Sequence, residues 1–198
     1  MRLAHGATAA KMGNKRTDIV PPLVTRALFF MDFVVYPPLI ALFFYLAFYG
    51  TGIARRLEML GLFLFGVLLW SLLEYLAHRY VLHVVPYFER LHAEHHEESK
   101  RLVGTPTIVS ALAFICLAYL PTAKFSDARS AAAIVCGLML GYLIYVSCHY
   151  MLHHLASGGS RLVKRLKRHH ALHHHATPDC NFGVTTRVWD RLFGTLAS

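Results

Sequence analysis

The sequence predicts an all-α integral membrane protein, with about four transmembrane helices and a cytosolic, histidine-rich helical cap. Three observations predict it. Four apolar runs of helical length are separated by polar, basic stretches. The 198 residues are 56% hydrophobic yet carry a formal net charge of +9, so an apolar body has cationic ends. Thirteen of the fourteen histidines fall at or after His78, at the ends of apolar runs or between them. Nucleic acid is the rival reading of the basicity. The apolar runs leave little room for a soluble binding face, so no nucleic-acid partner is expected.

Taken in order, residues 1–26 form a basic N-terminal segment with Arg2, Lys11, Lys15, Arg16 and Arg26. They lack the short apolar core and cleavage site of a signal peptide. Residues 27–198 form the membrane-embedded domain. A bilayer core about 30 Å thick needs about 20 helical residues. The first span, residues 27–49, contains Asp32 and the pair Pro37-Pro38, and the prolines should kink or break it. Asp32 is costly to bury alone, so it is expected to pair with Arg26 or a neighbouring helix, or to meet a substrate headgroup. The second span, residues 57–77, is uninterrupted. The third, residues 107–120, lies between Pro106 and Pro121 and is short, so it is tilted, extended or re-entrant. The fourth, residues 131–148, runs into His149.

Four spans put residues 1–26, the stretch 79–101 and the densely basic stretch after Leu155 on one side. The positive-inside rule makes that side cytoplasmic, with both termini and the histidines. Arg55 and Arg56, on the other side, run against it. The four cysteines show no paired spacing and are expected to be reduced thiols.

The histidines form four clusters: His78 with His83; His92, His95 and His96; His149, His153 and His154; and His169, His170, His173, His174 and His175. Residues at i, i+3 and i+4 share a helix face. His92, His95 and His96 are therefore expected to converge on one point, as are His170, His173 and His174. His149 and His153 converge, and His154 points elsewhere. His169 and His173 are also a turn apart, so spacing leaves the choice between His169 and His170 open. His78 and His83 are five apart and splay on an ideal helix. They cooperate only if the helix ends or bends there, or if they approach different metals. Neutral imidazole suits iron, zinc, copper and nickel. One metal takes a few histidines, and about ten imply two. Two adjacent redox metals can activate oxygen against an unactivated C–H bond, a reaction suited to an apolar substrate chain beside a bilayer.

Other polar groups have expected places. Glu74, one turn before His78, either hydrogen-bonds that ligand or pairs with Arg79. Glu94, Glu97 and Glu98 form a solvated face. Phe182, Gly183, Val184 and Trp189 pack beneath the metals, with Asp190 as an acceptor for a ligand's outer nitrogen. His5 has no role.

The order HxxxxH, HxxHH, HxxxHH, HxxHH resembles the fatty acid hydroxylase and sterol desaturase superfamily. The nearer likeness is to the fatty acid 2-hydroxylases of sphingolipid acyl chains. It is carried by His92-Ala-Glu-His95-His96 with Ser99 to Val103, by His149 to His153, and by Leu166 to His174 running on to residues 182–190 and Phe193-Gly194. The resemblance implies four transmembrane helices under a cytosolic cap. It implies ten metal ligands: His78, His83, His92, His95, His96, His149, His153, His170, His173 and His174. It implies two metal ions, iron in the active form with zinc as a possible occupant on isolation, and O2 as co-substrate. It implies a lipid substrate in the membrane. Eukaryotic members often carry a fused cytochrome b5 domain. None is expected here, so electrons come from a separate protein of cytochrome b5 or ferredoxin type. The family's paired prolines after Arg-Leu-Val are replaced by Gly104-Thr105-Pro106. Carotenoid hydroxylation and sterol oxidation or desaturation are alternative outcomes at the same site. A metal transporter or sensor is the alternative of another class, but the middles of spans two to four are apolar, where transport wants metal-binding groups.

Overall fold

The computed structural model describes residues 22–100, 102, 104–155 and 160–197. Most of the expected basic segment lies outside them, and α1 (Pro22–Phe48) begins ahead of residue 27. Among the described residues every regular element is helical. After α1 come α2 (Ile53–Leu76), prolonged by a π-helical turn over Ala77–Leu82, and α3 (Pro86–Glu97). The third span is α4 (Thr107–Ala113), a π-helical stretch over Phe114–Tyr119, and α5 (Leu120–Phe125). The rest is α6 (Ala128–His154), α7 (Arg161–His175) and α8 (Val188–Leu192). Four stretches are long and apolar enough to cross a membrane: Arg26–Phe48, Ile53–Leu82, Thr107–Phe125 and Ala128–His154.

The spans are not equivalent. The apolar window of α6 is 61% buried, against 17%, 22% and 11% for the others in chain order. The fourth span is therefore the axis, and the others present Val34, Leu68, Ile108 and Leu117 outward, where lipid is the matching solvent. Small residues let the backbones meet. A Cβ on Gly66 of α2 would lie 2.2 Å from the Ile134 carbonyl oxygen, and one on Gly137 of α6 would lie 2.1 Å from that of Phe63. Close approach of this kind replaces the hydrophobic drive that is missing between helices in lipid.

The prolines break neither the first nor the third span. Helix α1 runs unbroken through Pro37 and Pro38. Each proline removes one helical donor, but the helix is anchored on both sides of the pair. Before it, Asp32 accepts from Thr107 Oγ1 and Tyr142 Oη, each at 2.7 Å. Tyr36 Oη donates to Ser110 Oγ at 2.8 Å, and beyond the pair Phe43 and Ala47 are buried. Asp32 thus joins three spans, and its partners lie on neighbouring helices rather than at Arg26. The third span does not stop at Pro121. The Leu120 N–H bonds the Ile115 carbonyl five residues back. That wider turn accommodates the proline ring, and the helix continues to Phe125.

At one end of the bundle, Arg55 of α2 pairs with Asp127 at 2.7 Å and with Glu58 at 2.6 Å, so this cation is neutralised. Arg129 Nη1 donates to the Tyr49 carbonyl at 2.6 Å and ties the same end. A groove of about 870 Å³, lined by Pro37, Phe44, Phe48, Phe63 and Leu143, opens toward Tyr49 and Arg56 there. The histidines occupy the other end. Gly137→Ala is expected to destabilise the bundle by about 1–3 kcal/mol, because a rigid carbonyl rather than a flexible side chain blocks the new methyl. Thermal unfolding in detergent checks this, and an unchanged midpoint would show that α2 and α6 can separate freely.

Candidate metal centre

Four elements supply the histidines. The π-helical turn carries His78 and ends at His83. Helix α3 starts on Pro86, whose fixed φ suits a first turn, and presents His92, His95 and His96. The last two turns of α6 carry His149 and His153. Helix α7, capped by Ser160 accepting from the Val163 N–H, carries His170, His173 and His174.

These ten side chains meet in two groups of five. One is His78, His83, His92, His96 and His173; the other is His95, His149, His153, His170 and His174. Within each group the candidate ligand nitrogens all lie within 4.8 Å of one another, and each group could hold a metal ion. The groups adjoin: the His96 ring stacks on that of His174 with centroids 4.2 Å apart.

The π turn resolves the five-residue spacing of the first cluster. An α-helix would splay His78 and His83, but the wider turn closes i to i+5 and brings their rings to 5.3 Å. The HxxHH clusters do not converge on one point as expected. In each, the i, i+4 pair shares a group and the i+3 residue crosses to the other. His92 and His96 join the first group and His95 the second; His170 and His174 join the second and His173 the first. At about 100° per residue, i+4 lies about 40° from i, while i+3 lies about 60° away on the other side. A helix seated between the two groups therefore feeds both. His149 and His153, an i, i+4 pair, stay together.

The nitrogens suit cations better than protons. His78 Nδ1 donates to the Phe182 carbonyl at 2.6 Å and His173 Nδ1 to the Cys180 carbonyl at 2.8 Å. A carbonyl only accepts, so both neutral rings carry the proton on Nδ1 and aim the Nε2 lone pair inward. Inside the groups, ring nitrogens face each other without enough protons to share. His92 Nε2 lies 3.0 Å from Nε2 of both His78 and His96. His153 Nε2 lies 3.1 Å from that of His149 and 2.8 Å from that of His170. Neighbouring imidazoles bound at right angles to a metal about 2.0–2.1 Å away would have nitrogens about 3 Å apart. Both nitrogens of His174, a buried ring, lack a hydrogen-bond partner. Burial holds His92, His170 and His174 well below the ordinary histidine range, and adjacent imidazoles add to it. It lowers His96 to about 4 and His173 to about 3, the latter against the raising effect of the Cys180 carbonyl. The donor set is convergent and six of its ten rings are buried, and it fits metal ions.

The C-terminal tail holds those orienting carbonyls. Asp190, fully buried, accepts from the Phe182 and Gly183 N–H groups at 2.8 Å each, from Thr195 Oγ1 at 2.8 Å and from His169 Nε2 at 3.1 Å. Burial raises its pKa, but the hydrogen bonds from His169, Gly183 and Thr195 outweigh that and hold it below the usual carboxylate range. Asp190 therefore touches no ring of either group; it fixes the segment whose Phe182 carbonyl orients His78. The same bond settles His169, which turns to Asp190 and away from both groups. His154 also turns away, to the Tyr150 and Lys100 carbonyls. Glu74 bonds neither His78 nor Arg79. Its Oε1 accepts from the Val184 and Thr185 N–H groups at 3.1 and 2.8 Å, tying the tail to α2. Phe182 packs against the rings of His78, His83 and His173. Trp189 instead donates to Ser71 on α2 at 3.0 Å. Glu97 and Glu98 are exposed as expected, and Glu94 is half-buried.

Sequence reasoning missed the carbonyls of Cys180 and Phe182, which no side chain announces. It also missed Tyr145, whose ring stacks on His149 at 5.9 Å, and Asn181. Asn181 has φ 60° and accepts from the Ala197 N–H at 2.9 Å. An asparagine tolerates that left-handed turn, which makes it a readable signal.

Residues 63–195 match the protein-family model described as fatty acid hydroxylase. The chain is 36% identical over 150 residues to the dihydroceramide fatty acyl 2-hydroxylase FAH1 of Arabidopsis thaliana, covering 70% of this chain and 62% of that one. It is 34% identical over 152 residues to the fatty acid 2-hydroxylase of Macaca fascicularis, covering 69% of this chain and 39% of the other. It thus spans well under two thirds of the longer of these relatives and somewhat under two thirds of the shorter. A solved structure described as full-length scs7p, with only the hydroxylase domain visible, superposes with a TM-score of 0.74 at 26% identity. It covers 86% of this chain and 67% of that one.

Removing the Asp190 carboxylate frees the carbonyl that orients His78. Asp190→Ala is expected to weaken metal retention about 10- to 100-fold. Metal content after dialysis against graded chelator measures it, and retention equal to that of the unaltered protein would place Asp190 outside the support of the centre.

Proposed function

The chain belongs to the fatty acid hydroxylase family, and on that premise we propose that it is an oxygen-dependent membrane monooxygenase that hydroxylates a lipid. The position attacked is carbon 2 of a fatty acyl chain. His78, His83, His92, His96 and His173 hold one metal ion, and His95, His149, His153, His170 and His174 hold the other. The observation that carries the reading is the pair of neutral, five-nitrogen groups at one end of an apolar bundle. Transport would instead want such groups along a path through the spans.

Iron is the working metal, because it supplies the redox activation of O2 that an unactivated C–H bond requires. Zinc competes for an all-imidazole site on general affinity grounds and would leave the protein inactive. The chain's own residues do the positioning. The carbonyls of Cys180 and Phe182 fix two ring tautomers, Asp190 and Glu74 hold the tail that carries them, and burial disfavours protonation of the rings of α7 that face the groups. Insertion of one oxygen atom into C–H consumes two electrons and two protons and releases the second atom as water. The electrons come from a separate protein of cytochrome b5 or ferredoxin type. Residues 27–198 form the catalytic domain, and the histidine end, the cap helices and both termini face the cytoplasm, following the basic stretches that flank them.

The test is mass spectrometry of total lipids from cells expressing the protein with a donor and iron, against His170→Ala/His173→Ala/His174→Ala. These losses strip ligands from both groups, so 2-hydroxy acyl chains are expected only with the unaltered protein. A hydroxylated carotenoid or sterol in their place would keep the centre and overturn the substrate. Identical lipids from both would overturn the enzyme reading.

A further inference from the structure

Helix α7 holds the densest run of positive charge in the chain, and its two faces differ sharply. The buried face carries Leu166, His169, His170, His173 and His174. Arg161, Lys164, Arg165 and Arg168 are exposed. At about 100° per residue these four cations fall within an arc of about 100°, centred opposite the buried face. They occupy about 10 Å of helix length. Among the described residues none of the four has an ion-pair partner. Lys167, at the edge of the stripe, is bound to the Leu155 carbonyl at 2.6 Å.

The stripe lies on the side of α7 opposite the buried face that carries the histidines. Unpaired like charges on a short stretch cost stability through mutual repulsion and are relieved by an acidic partner. The same helix contributes to both histidine groups: His173 to one, His170 and His174 to the other. A redox carrier seated on the stripe would stand one helix diameter, about 10–12 Å, from rings of both groups.

We propose that the outer face of α7, formed by Arg161, Lys164, Arg165 and Arg168, is the docking surface for an acidic one-electron carrier protein. The inference rests on the monooxygenase reading for the identity of the partner. Each docking event delivers one electron from the carrier's redox centre, which is oxidised by one electron. Two such events supply the two electrons of one hydroxylation, and the two protons come from water. Charge complementarity acts mainly on encounter rate and salt dependence.

The experiment uses the metal-loaded chain in nanodiscs of zwitterionic lipid, titrated with the soluble haem domain of a cytochrome b5 and, separately, with a ferredoxin. At least one carrier is expected to bind, with an affinity that falls as salt rises. R161E/K164E/R165E/R168E is expected to weaken binding at least tenfold, while R90E/K100E, reversing exposed cations on other segments, changes it less than threefold. Metal content and hydroxylation driven by a small-molecule reductant should be the same in all three proteins. The proposal is overturned if neither carrier binds, if the two variants lose affinity equally, or if the α7 variant binds normally. Binding is read without turnover. Binding that depends on α7 in a protein that hydroxylates nothing keeps the docking surface and overturns the enzyme reading. Hydroxylation with small-molecule reductant, in a protein whose carrier affinity ignores α7, does the reverse.

Discussion

Ten imidazoles crowded at one end of a membrane bundle must stay neutral and aim their lone pairs at two common points. The rest of the structure is built around that constraint. Lone pairs about 3 Å apart repel unless a cation sits between them, and protons are too few to serve. Burial removes the option of protonation, since a charged ring there would lose its hydration. Backbone carbonyls remove the option of the wrong tautomer at His78 and His173. What remains is a pair of five-nitrogen groups whose remaining affinity is for metal.

The fold meets this demand by using the membrane bundle as a rigid base. The most buried span, α6, carries His149 and His153 on its last two turns, so these rings move only if the axis moves. α2 is locked to α6 through Gly66 and Gly137, and its π-helical end brings His78 and His83 back together. The tail then closes over the site. Glu74 anchors it to the second span and Asp190 folds it on itself, so carboxylates at buried positions serve backbone N–H groups rather than metals. Asp32 plays the corresponding part within the spans, where an unpaired carboxylate would be costly.

The helical class, the four spans and the four histidine clusters were legible because each leaves a strong local pattern, while the choice of His170 over His169 rested on the family resemblance. Apolar runs of helical length stand out in any reading, and His153 separates from His154 on spacing alone. The arrangement of the ligands was less legible. Helical periodicity says that His92, His95 and His96 share a side, but not that two histidine groups meet there, so the crossing of His95 and His173 was hidden. The π turn was hidden too, because a wider turn depends on what packs around it. The break allowed for at Pro37-Pro38 is missing for a related reason: the loss of one donor is local, while the anchoring that outweighs it comes from Thr107, Ser110 and Tyr142 on other helices. Carbonyls such as those of Cys180 and Phe182 carry no residue-type signature at all.

The division of ligands between two centres is the central claim, and metal stoichiometry tests it most directly. Metal per chain would be measured in the folded protein, in His92→Ala/His96→Ala and in His149→Ala/His153→Ala. The account predicts two ions per chain in the unaltered protein and one in each double variant, because each pair belongs to a different group of five. A single ion in the unaltered protein, or loss of all metal from either variant, would contradict it.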